Sequence, residues 1–269
     1  MTISNQLGTE MFSLAGKSVL LTGAGGAIGS VLAKSLAACG AIVGLQDIAQ
    51  SKVTGVAAEI EAAGGTAFMF GADLSSTDAC ATLITDVQAA MGAINVLVNC
   101  AGINRRKPID EVTPDDFDAI VAVNMRAVFF LSQAVHPVMK AQGGGTIVNI
   151  SSLSARYSFN TISVYAATKA AVTSMTRSFA REWVADGIRV NCIEPAVVQT
   201  EFTAPLWDDP KRSVWFQEFT PMGRLAQPHE LVGAVVYLAS DASSYVTGQS
   251  ITIEGGILAG ADWDANQGD

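Results

Sequence analysis

From Lys17 onward the chain alternates short β-type apolar runs with longer stretches of helical periodicity, a pattern that leaves little choice but a parallel sheet covered by helices on both faces. Strands are expected at 17–22, 41–47, 66–71, 94–98, 145–151, 188–193 and 249–253, and helices at about 27–39, 50–63, 76–91, 114–141, 163–185 and 228–239. Local signals agree with this division. Ser76-Thr77-Asp78 and Thr113-Pro114-Asp115-Asp116 place cap oxygens and acids at helix starts, while Gly40, Gly64-Gly65, Gly92 and Gly187 follow helix ends. The expected fold is an α/β, doubly wound (Rossmann) seven-stranded parallel sheet forming one domain over 1–269, with 1–13 and 261–269 as terminal extensions. The stretch 200–222 resists the pattern: three Pro and the aromatics Trp207, Trp215 and Phe216 stand between a strand and a helix. A connector of this length reads as a lid over the substrate side or as a helical hairpin packed on the surface.

Composition narrows the function. Hydrophobic residues are 49% of the 269, yet a run such as Ala127-Val-Phe-Phe-Leu131 is far shorter than the roughly 18–20 residues of a spanning helix, so the mean hydropathy of +0.34 is assigned to a buried core. Sixteen Lys and Arg against 25 Asp and Glu give a net charge of −9, which suits neither a nucleic-acid backbone nor an anionic membrane surface. Residues Met1–Phe12 have no basic or continuous apolar segment of the secretory type, and a cytoplasmic location is expected. Cys39, Cys80, Cys100 and Cys192 lack metal-ligand spacing and are read as free thiols. His136 and His229 are too isolated to build a metal site or a Ser-His-Asp triad; no metal is expected.

Thr22-Gly-Ala-Gly-Gly-Ala-Ile-Gly29 closes the first strand and opens the first helix. Glycines there let the backbone turn sharply and approach a pyrophosphate, whose charge meets the helix N-terminus. Asp47 ends the second strand 18 residues beyond Gly29, where a carboxylate accepts from ribose hydroxyls and repels a 2′-phosphate. No Arg or Lys lies in the glycine turn or in the three residues after Asp47, so NAD is expected over NADP; the other reading of Asp47 is a helix cap.

Tyr165-Ala-Ala-Thr-Lys169 follows Ser152 by 13 residues. At i and i+4 on a helix, Tyr165 and Lys169 share one face, and an ammonium beside a phenol favours the phenolate. Ser152, at the carboxyl end of the fifth strand, would face the crevice in which doubly wound sheets bind ligands.

With these residues the sequence resembles the short-chain dehydrogenase/reductase family from about Leu14 to Gly260. The glycine turn, Asp73-Leu74, Asn99-Cys-Ala-Gly102, Asn124, Ser152, Tyr165 with Lys169, and Pro195 to Thr200 fall in that family's order. The resemblance implies that Tyr165 transfers the proton, that Ser152 polarises the substrate oxygen, and that Lys169 binds the nicotinamide ribose and tunes Tyr165. It further implies that Asn124 holds a water leading from Lys169 to solvent. Gly23, Gly26 and Ile28 belong to the cradle; Asp73 and Leu74 border the adenine, Asn99 lies beneath the adenosine ribose, and Val198 with Thr200 fixes the carboxamide. Departures from the pattern are Ala27 at a glycine of the turn, Cys100 in place of Asn, and Ala196 after Pro195.

The loop Ile103-Asn-Arg-Arg-Lys-Pro108 resembles that of gluconate 5-dehydrogenases and related sugar-acid enzymes. Arg105 and Arg106 are candidates for holding a substrate anion, since guanidinium groups bind carboxylates in bidentate geometry; the alternatives are a solvated loop or a subunit contact. The expected activity is hydride transfer between NAD and a secondary alcohol of a sugar or sugar acid, a small polyhydroxylated and potentially anionic molecule. A 3-oxoacyl-thioester reductase and a non-catalytic NAD-binding regulator are the alternatives. Val128, Phe129, Phe130, Leu131, Val172, Met175 and Phe179 give the helices at 114–141 and 163–185 apolar residues beyond one stripe, and the family resemblance implies a homotetramer. The tail beyond Gly260, with Trp263, is polar.

Overall fold

The computed structural model describes residues 10–260. Seven parallel strands, β1 (Ser18–Thr22), β2 (Ile42–Asp47), β3 (Thr66–Gly71), β4 (Val96–Asn99), β5 (Gly145–Ile150), β6 (Ile188–Pro195) and β7 (Ser250–Ile253), lie in the order 3-2-1-4-5-6-7. The winding reverses between β1 and β4, with β1 pairing with β2 on one side and β4 on the other. Such a reversal opens a crevice at the carboxyl edge, because the connections leave β1 and β4 in opposite directions. The central strands are buried on both faces, which is why β1, β4 and β5 read as continuous apolar runs without alternation.

Two cores flank the sheet. On one face α1 (Ala27–Ala38), α2 (Thr54–Ala62) and a helix ending at Ala239 bury Leu32, Leu36, Ile60, Val235 and Leu238 against Val19, Val43 and Val98. On the other α3 (Thr77–Met91) packs Leu83 and Val87 with Leu131, Val135 and Phe179 around Leu20, Leu97 and Ile147. The expected caps are present: the Ser76 hydroxyl accepts from Ala79 N, and Thr113 and Asp116 form a reciprocal box with Pro114 in the first turn.

Element boundaries shift where backbone geometry outweighs periodicity. The 50–63 helix splits into a 3-10 turn at Gln50–Lys52 and α2, and the 228–239 helix opens with a 3-10 turn at Pro228–Leu231. The 114–141 segment is helical throughout but changes pitch: α4 (Pro114–Val121) and α5 (Ala127–Ala141) are joined by a π-helical turn at Ala122–Arg126. By length and composition this helix could cross a membrane, although no single apolar run in it could; here Ile120, Asn124, Leu131, Val135 and Met139 are buried within the protein.

The apolar surplus on these helices is distributed differently from the sequence expectation. Val128, Leu131, Val172 and Phe179 are buried in the chain's own core, whereas Phe129 is exposed together with Phe117 and Met125. Trp183 explains part of this: it stacks on Phe179 at 4.7 Å and on His136 at 4.7 Å, and His136 bonds Asp186 at 2.8 Å. His136 is thereby structural. Trp263, with 261–269 and residues 1–9 of the N-terminal extension, lies outside the described residues.

One cation fastens the end of β6 opposite the crevice. From Arg189, Nη1 donates to Ser243 Oγ and Val246 O and Nη2 to Thr146 Oγ1, Leu238 O and Ser240 O, over 2.8–3.2 Å. Arg189→Met would strand these acceptors and should lower the unfolding free energy by roughly 2–4 kcal/mol. Urea denaturation reads this directly, and a loss below about 0.5 kcal/mol would mean that water replaces the guanidinium at no cost.

Candidate active site

The carboxyl edge of the sheet holds a cavity of about 1100 Å³ that runs from the glycine turn past β4 and β5 to the 200–222 segment. Its first wall is the turn after β1. Gly23 sits at φ +67°, and a Cβ there would lie 2.8 Å from Ala101 Cα; a Cβ on Gly29 would lie 2.1 Å from the Gly23 carbonyl oxygen. Both glycines are therefore demanded by close backbone approach. Gly26 is the N-cap of α1 without a side-chain cap, and Gly26, Ala27, Ile28 and Gly29 all line the cavity. Uncapped N–H groups at a helix start facing a roomy crevice fit a diphosphate. Ala27 is accommodated as a wall residue.

Asp47 lines the same end. Its Oδ2 accepts from Gly25 N at 3.0 Å and its Oδ1 from Ile48 N at 2.8 Å, so the carboxylate braces the glycine turn and caps no helix; the following 3-10 turn, Gln50–Lys52, has Ala49 at its N-cap and no side-chain cap. Asp73 and Leu74 line this end too, with Asp73 held below the usual carboxylate range by hydrogen bonds from Ser75. Val198 and Thr200 line the wall beyond β6. Asn99 differs from the expectation. It is buried behind the wall, where its Nδ2 donates to Asn149 Oδ1 at 2.8 Å and Ser132 Oγ at 3.3 Å, and the following residues Cys100, Ala101 and Gly102 form the surface.

The middle of the cavity belongs to Ser152, Tyr165 and Lys169. The helix α6 (Ser163–Trp183) carries Tyr165 and Lys169 on one face, with Lys169 Nζ 5.6 Å from the centre of the Tyr165 ring. Lys169 Nζ donates to Ile150 O at 2.7 Å, which ties the helix to the end of β5 just before Ser152. Burial brings the Lys169 ammonium down to about 8. Tyr165 is pushed above the usual phenol value by burial, against the lowering influences of a hydrogen bond with Ser152 and of the Arg106 charge. In the free protein, desolvation therefore outweighs the lowering expected from the neighbouring ammonium.

Asn124 occupies the π turn, a feature often found at functional sites. Its Oδ1 accepts from Ile103 N and its Nδ2 donates to Ile103 O, both at 2.8 Å, so what the geometry shows for this side chain is an anchor for the loop after β4.

That loop separates the two candidate arginines. Arg105 Nη1 lies 3.1 Å from Asp116 Oδ1 and Lys107 Nζ 2.6 Å from Asp116 Oδ2, and the bonds from Lys107, then Thr113, and least from Arg105 hold the Asp116 carboxyl well below its usual range. Arg105 is thus a brace between loop and helix and does not line the cavity, contrary to expectation. Arg106, between them, does. Sequence reasoning missed Phe159, which lines this end, and Arg212; the 200–222 segment was recognised, but its helical form, Ala204–Trp207 and Pro210–Phe219, supplies Arg212, Trp215 and Phe216 to the same wall. The helical-hairpin alternative for this segment accords with its helical form, but which of its side chains reach the cavity carried no signal, since the apolar residues of Pro210–Phe219 do not gather on one helical face.

A glycine-lined crevice at the switch point of a parallel sheet, leading to a phenol, a hydroxyl and a buried amine, is the arrangement of a dinucleotide-dependent oxidoreductase. The comparisons agree. Residues 23–258 match the family model described as enoyl-(acyl carrier protein) reductase. Gluconate 5-dehydrogenase of Gluconobacter oxydans is 39% identical over 92% of this chain and 97% of its own length. The 5-keto-D-gluconate 5-reductase of Escherichia coli K12 is 35% identical, over 93% and 98%. A crystal structure of a gluconate 5-dehydrogenase from Burkholderia cenocepacia in complex with NADP and tartrate superposes with a TM-score of 0.91 at 38% identity, covering 94% of this chain and all of that one. The chain belongs to the short-chain dehydrogenase/reductase family.

The phenol's environment can be read by titration. The absorbance difference between the free protein and Tyr165→Phe should show tyrosinate only above pH 10, the ordinary phenol value, because burial raises the proton affinity of Tyr165. Ionisation nearer neutrality would mean that the Lys169 charge dominates over desolvation.

Proposed function

We propose that the protein is an NAD-dependent dehydrogenase that interconverts a secondary alcohol of a sugar acid and the corresponding ketone, with Tyr165 as the proton-transferring group. The observation that carries this reading is the single cavity in which the cradle, the Ser152/Tyr165/Lys169 cluster and the Arg106 guanidinium succeed one another. Its volume of about 1100 Å³ leaves room for a dinucleotide against the glycine turn and a small substrate beside it, and the gluconate-acting relatives support a sugar acid as that substrate.

NAD is favoured by the walls at the adenosine end. Among the described residues lining it, Gln46, Asp47, Ile48, Ala72, Asp73 and Leu74 provide two carboxylates and no cation. A 2′-phosphate there would meet like charge. The Burkholderia relative crystallised with NADP, so cofactor choice is a matter of this chain's own residues at that end.

When bound, the nicotinamide supplies hydride exchange with the substrate carbon. The protein's part is to hold the alcohol and move its proton. Ser152, fixed by the Ser154 N–H donating to its Oγ at 3.1 Å, positions the substrate oxygen next to the Tyr165 hydroxyl. In the reductive direction the Tyr165 phenol gives its proton to the oxygen of the ketone and becomes the phenolate; in the oxidative direction the phenolate takes the alcohol proton and becomes the phenol. Lys169, held by the Ile150 carbonyl, keeps a positive charge beside the phenol and stabilises the phenolate as it forms. Arg106 receives the acid group. A cytoplasmic setting accords with this metabolism, and the exposed Phe117, Met125 and Phe129 support self-association.

The test is a panel of sugar acids, aldoses, polyols and a 3-oxoacyl thioester with NAD and NADP. NAD-linked oxidation of a sugar acid is expected, with Tyr165→Phe reducing kcat at least about a hundredfold while the protein still binds NAD. Asp47→Ser should narrow the preference for NAD over NADP. Turnover of acyl thioesters with NADP would replace this reading by that of a 3-oxoacyl reductase, and full activity in Tyr165→Phe would remove the assigned proton carrier.

A further inference from the structure

Glu194 is the penultimate residue of β6 and fully buried, and the residue after it, Pro195, begins the stretch of cavity wall that continues to Val198. Strand alternation puts Glu194 on the same face as Cys192, whose Sγ lies 4.0 Å from Thr173 Oγ1 on α6. An apolar side chain would suit this position, and an ion pair set in place of packed apolar groups seldom adds stability. What a carboxylate provides here is reach in two directions.

One of its oxygens meets the helix of the catalytic residues. Oε1 accepts from Thr173 Oγ1 at 2.9 Å, and Thr173 stands one turn beyond Lys169 on α6. The other oxygen meets the turn that follows Ser152. Oε2 receives the Arg156 Nε–H, and Arg156 is the C-cap of the 3-10 turn Leu153–Ala155, whose N-cap is Ser152. The backbone bonds of that turn close on themselves: Ala155 N donates to Ser152 O, while Arg156 N and Tyr157 N donate to Leu153 O, all at 2.9 Å. The Ser152 hydroxyl is held from within as well, by Ser154 N at 3.1 Å. These bonds fix the shape of the turn and leave its place in the fold to the buried Leu153 and to the Arg156 side chain. One planar carboxylate thus relates the turn of Ser152 to the helix of Tyr165.

We propose that Arg156 and Glu194 are positioning residues of the active site: acting through Thr173 and through the turn after Ser152, they hold the Ser152 hydroxyl within hydrogen-bond reach of the phenol on α6. Neither residue lines the cavity, so both act through Ser152. The proposal rests on the reading of Ser152 and Tyr165 as the two groups that meet the substrate oxygen, and it is independent of which alcohol is oxidised. The Arg156 side chain is half-exposed, so replacing it opens no void in the core.

The Tyr165 phenol itself reports the outcome, since its bond with Ser152 lowers its proton affinity in the free protein. Ionisation is followed by tyrosinate absorbance, each variant being read against the same variant carrying Tyr165→Phe. Ser152→Ala sets the full effect and should raise the pH of half-ionisation by about half a unit or more. Arg156→Gln should raise it by at least about half as much. Arg156→Lys should stay near the wild type, because an ammonium keeps a charged donor for Oε2. Removing the Arg156 charge also acts on the phenol across space; that direct effect survives in a Ser152→Ala background, whereas one relayed by Ser152 vanishes. Arg156→Gln should therefore add less than about 0.2 of a pH unit to Ser152→Ala. Arg156→Gln combined with Glu194→Gln strands no buried carboxylate and carries the same expectation should the single variant not fold. NAD affinity within about twofold of the wild type verifies folding in each. An unshifted titration in Arg156→Gln or, where that does not fold, in the double variant overturns the proposal, as does a shift that persists in full on top of Ser152→Ala. In turnover of a sugar acid Arg156→Gln should lower kcat about tenfold or more and leave the KM for NAD unchanged. If no sugar acid is oxidised but the titration depends on Arg156 through Ser152, the positioning role stands and the sugar-acid reading falls. If a sugar acid is oxidised with unchanged kcat in Arg156→Gln, the reverse holds.

Discussion

The hydroxyl of Thr22 holds the two halves of the site together. Its oxygen accepts from the backbone N–H of both Cys100 and Ala101, at 3.0 and 3.1 Å, and its own proton points to Val98 O. This joins the end of β1 to the end of β4 at the point where the connections diverge. The glycine turn follows one strand and the Cys100–Gly102 surface follows the other, so a threonine hydroxyl fixes how far apart the two sides of the crevice stand. Gly23 then has to be a glycine, because the approach it permits puts Ala101 Cα where its Cβ would be. Sheet order, cradle and catalytic cluster are consequences of the same parallel registration: every strand delivers its carboxyl end to one edge.

A second layer of bonding reaches the catalytic cluster from beneath. Asn149 in β5 receives from Asn99 and donates to Thr176 Oγ1 at 2.9 Å; the Ser151 and Thr173 hydroxyl oxygens lie 2.9 Å apart, and Thr173 donates to Glu194 at 2.9 Å, which leaves the Ser151 proton for Lys169 O or Thr173. Glu194 is fully buried and its charge is met by Arg156, just past Ser152. The helix that bears Tyr165 and Lys169 is thus stitched to β5 and β6 along its buried side. Buried polar networks of this kind carry a high penalty for any unsatisfied member, which is what makes them rigid. The rigidity matters because proton transfer depends on tenths of an ångström, and the residues that perform it sit on separate elements.

Much of this was legible in the sequence. Strand positions, the cradle, Asp47, and Ser152 with Tyr165 and Lys169 were all readable, because each is a local pattern whose spacing is dictated by backbone geometry: two residues per strand repeat, four per helical face, a glycine wherever chains nearly touch. What was not legible depended on which partner a side chain finds across the fold. Arg105 and Arg106 are adjacent and chemically equal, yet Asp116 claims the first and the cavity the second. Asn99 belongs to a cavity motif but turns inward to Asn149. Val128 and Phe129 are neighbours of like hydropathy, one buried and one exposed, since successive residues on a helix point about 100° apart and only packing decides which direction is inward. Glu194 carried no local signal at all, for its partners lie 21 and 38 residues upstream.

Charge is ordered along the cavity in a way that net charge conceals. The surplus of acids gives the chain −9, but within the crevice the carboxylates Asp47 and Asp73 stand at one end and the Arg106 guanidinium at the other, with a protonated phenol and a weakly basic amine between them. An extended ligand entering such a gradient is oriented before any specific contact forms: hydroxyl groups suit the acidic end and an anion the basic one. The middle keeps the one positive charge of Lys169, whose value burial brings down only to about 8, beside a Tyr165 that burial holds as the phenol. Charge that develops there during a reaction finds few competing fixed charges and little water to dilute it. The local field of Lys169 on Tyr165 is then largest when a ligand has excluded the remaining solvent, which couples the filling of the cavity to the ionisation of the group that acts in it.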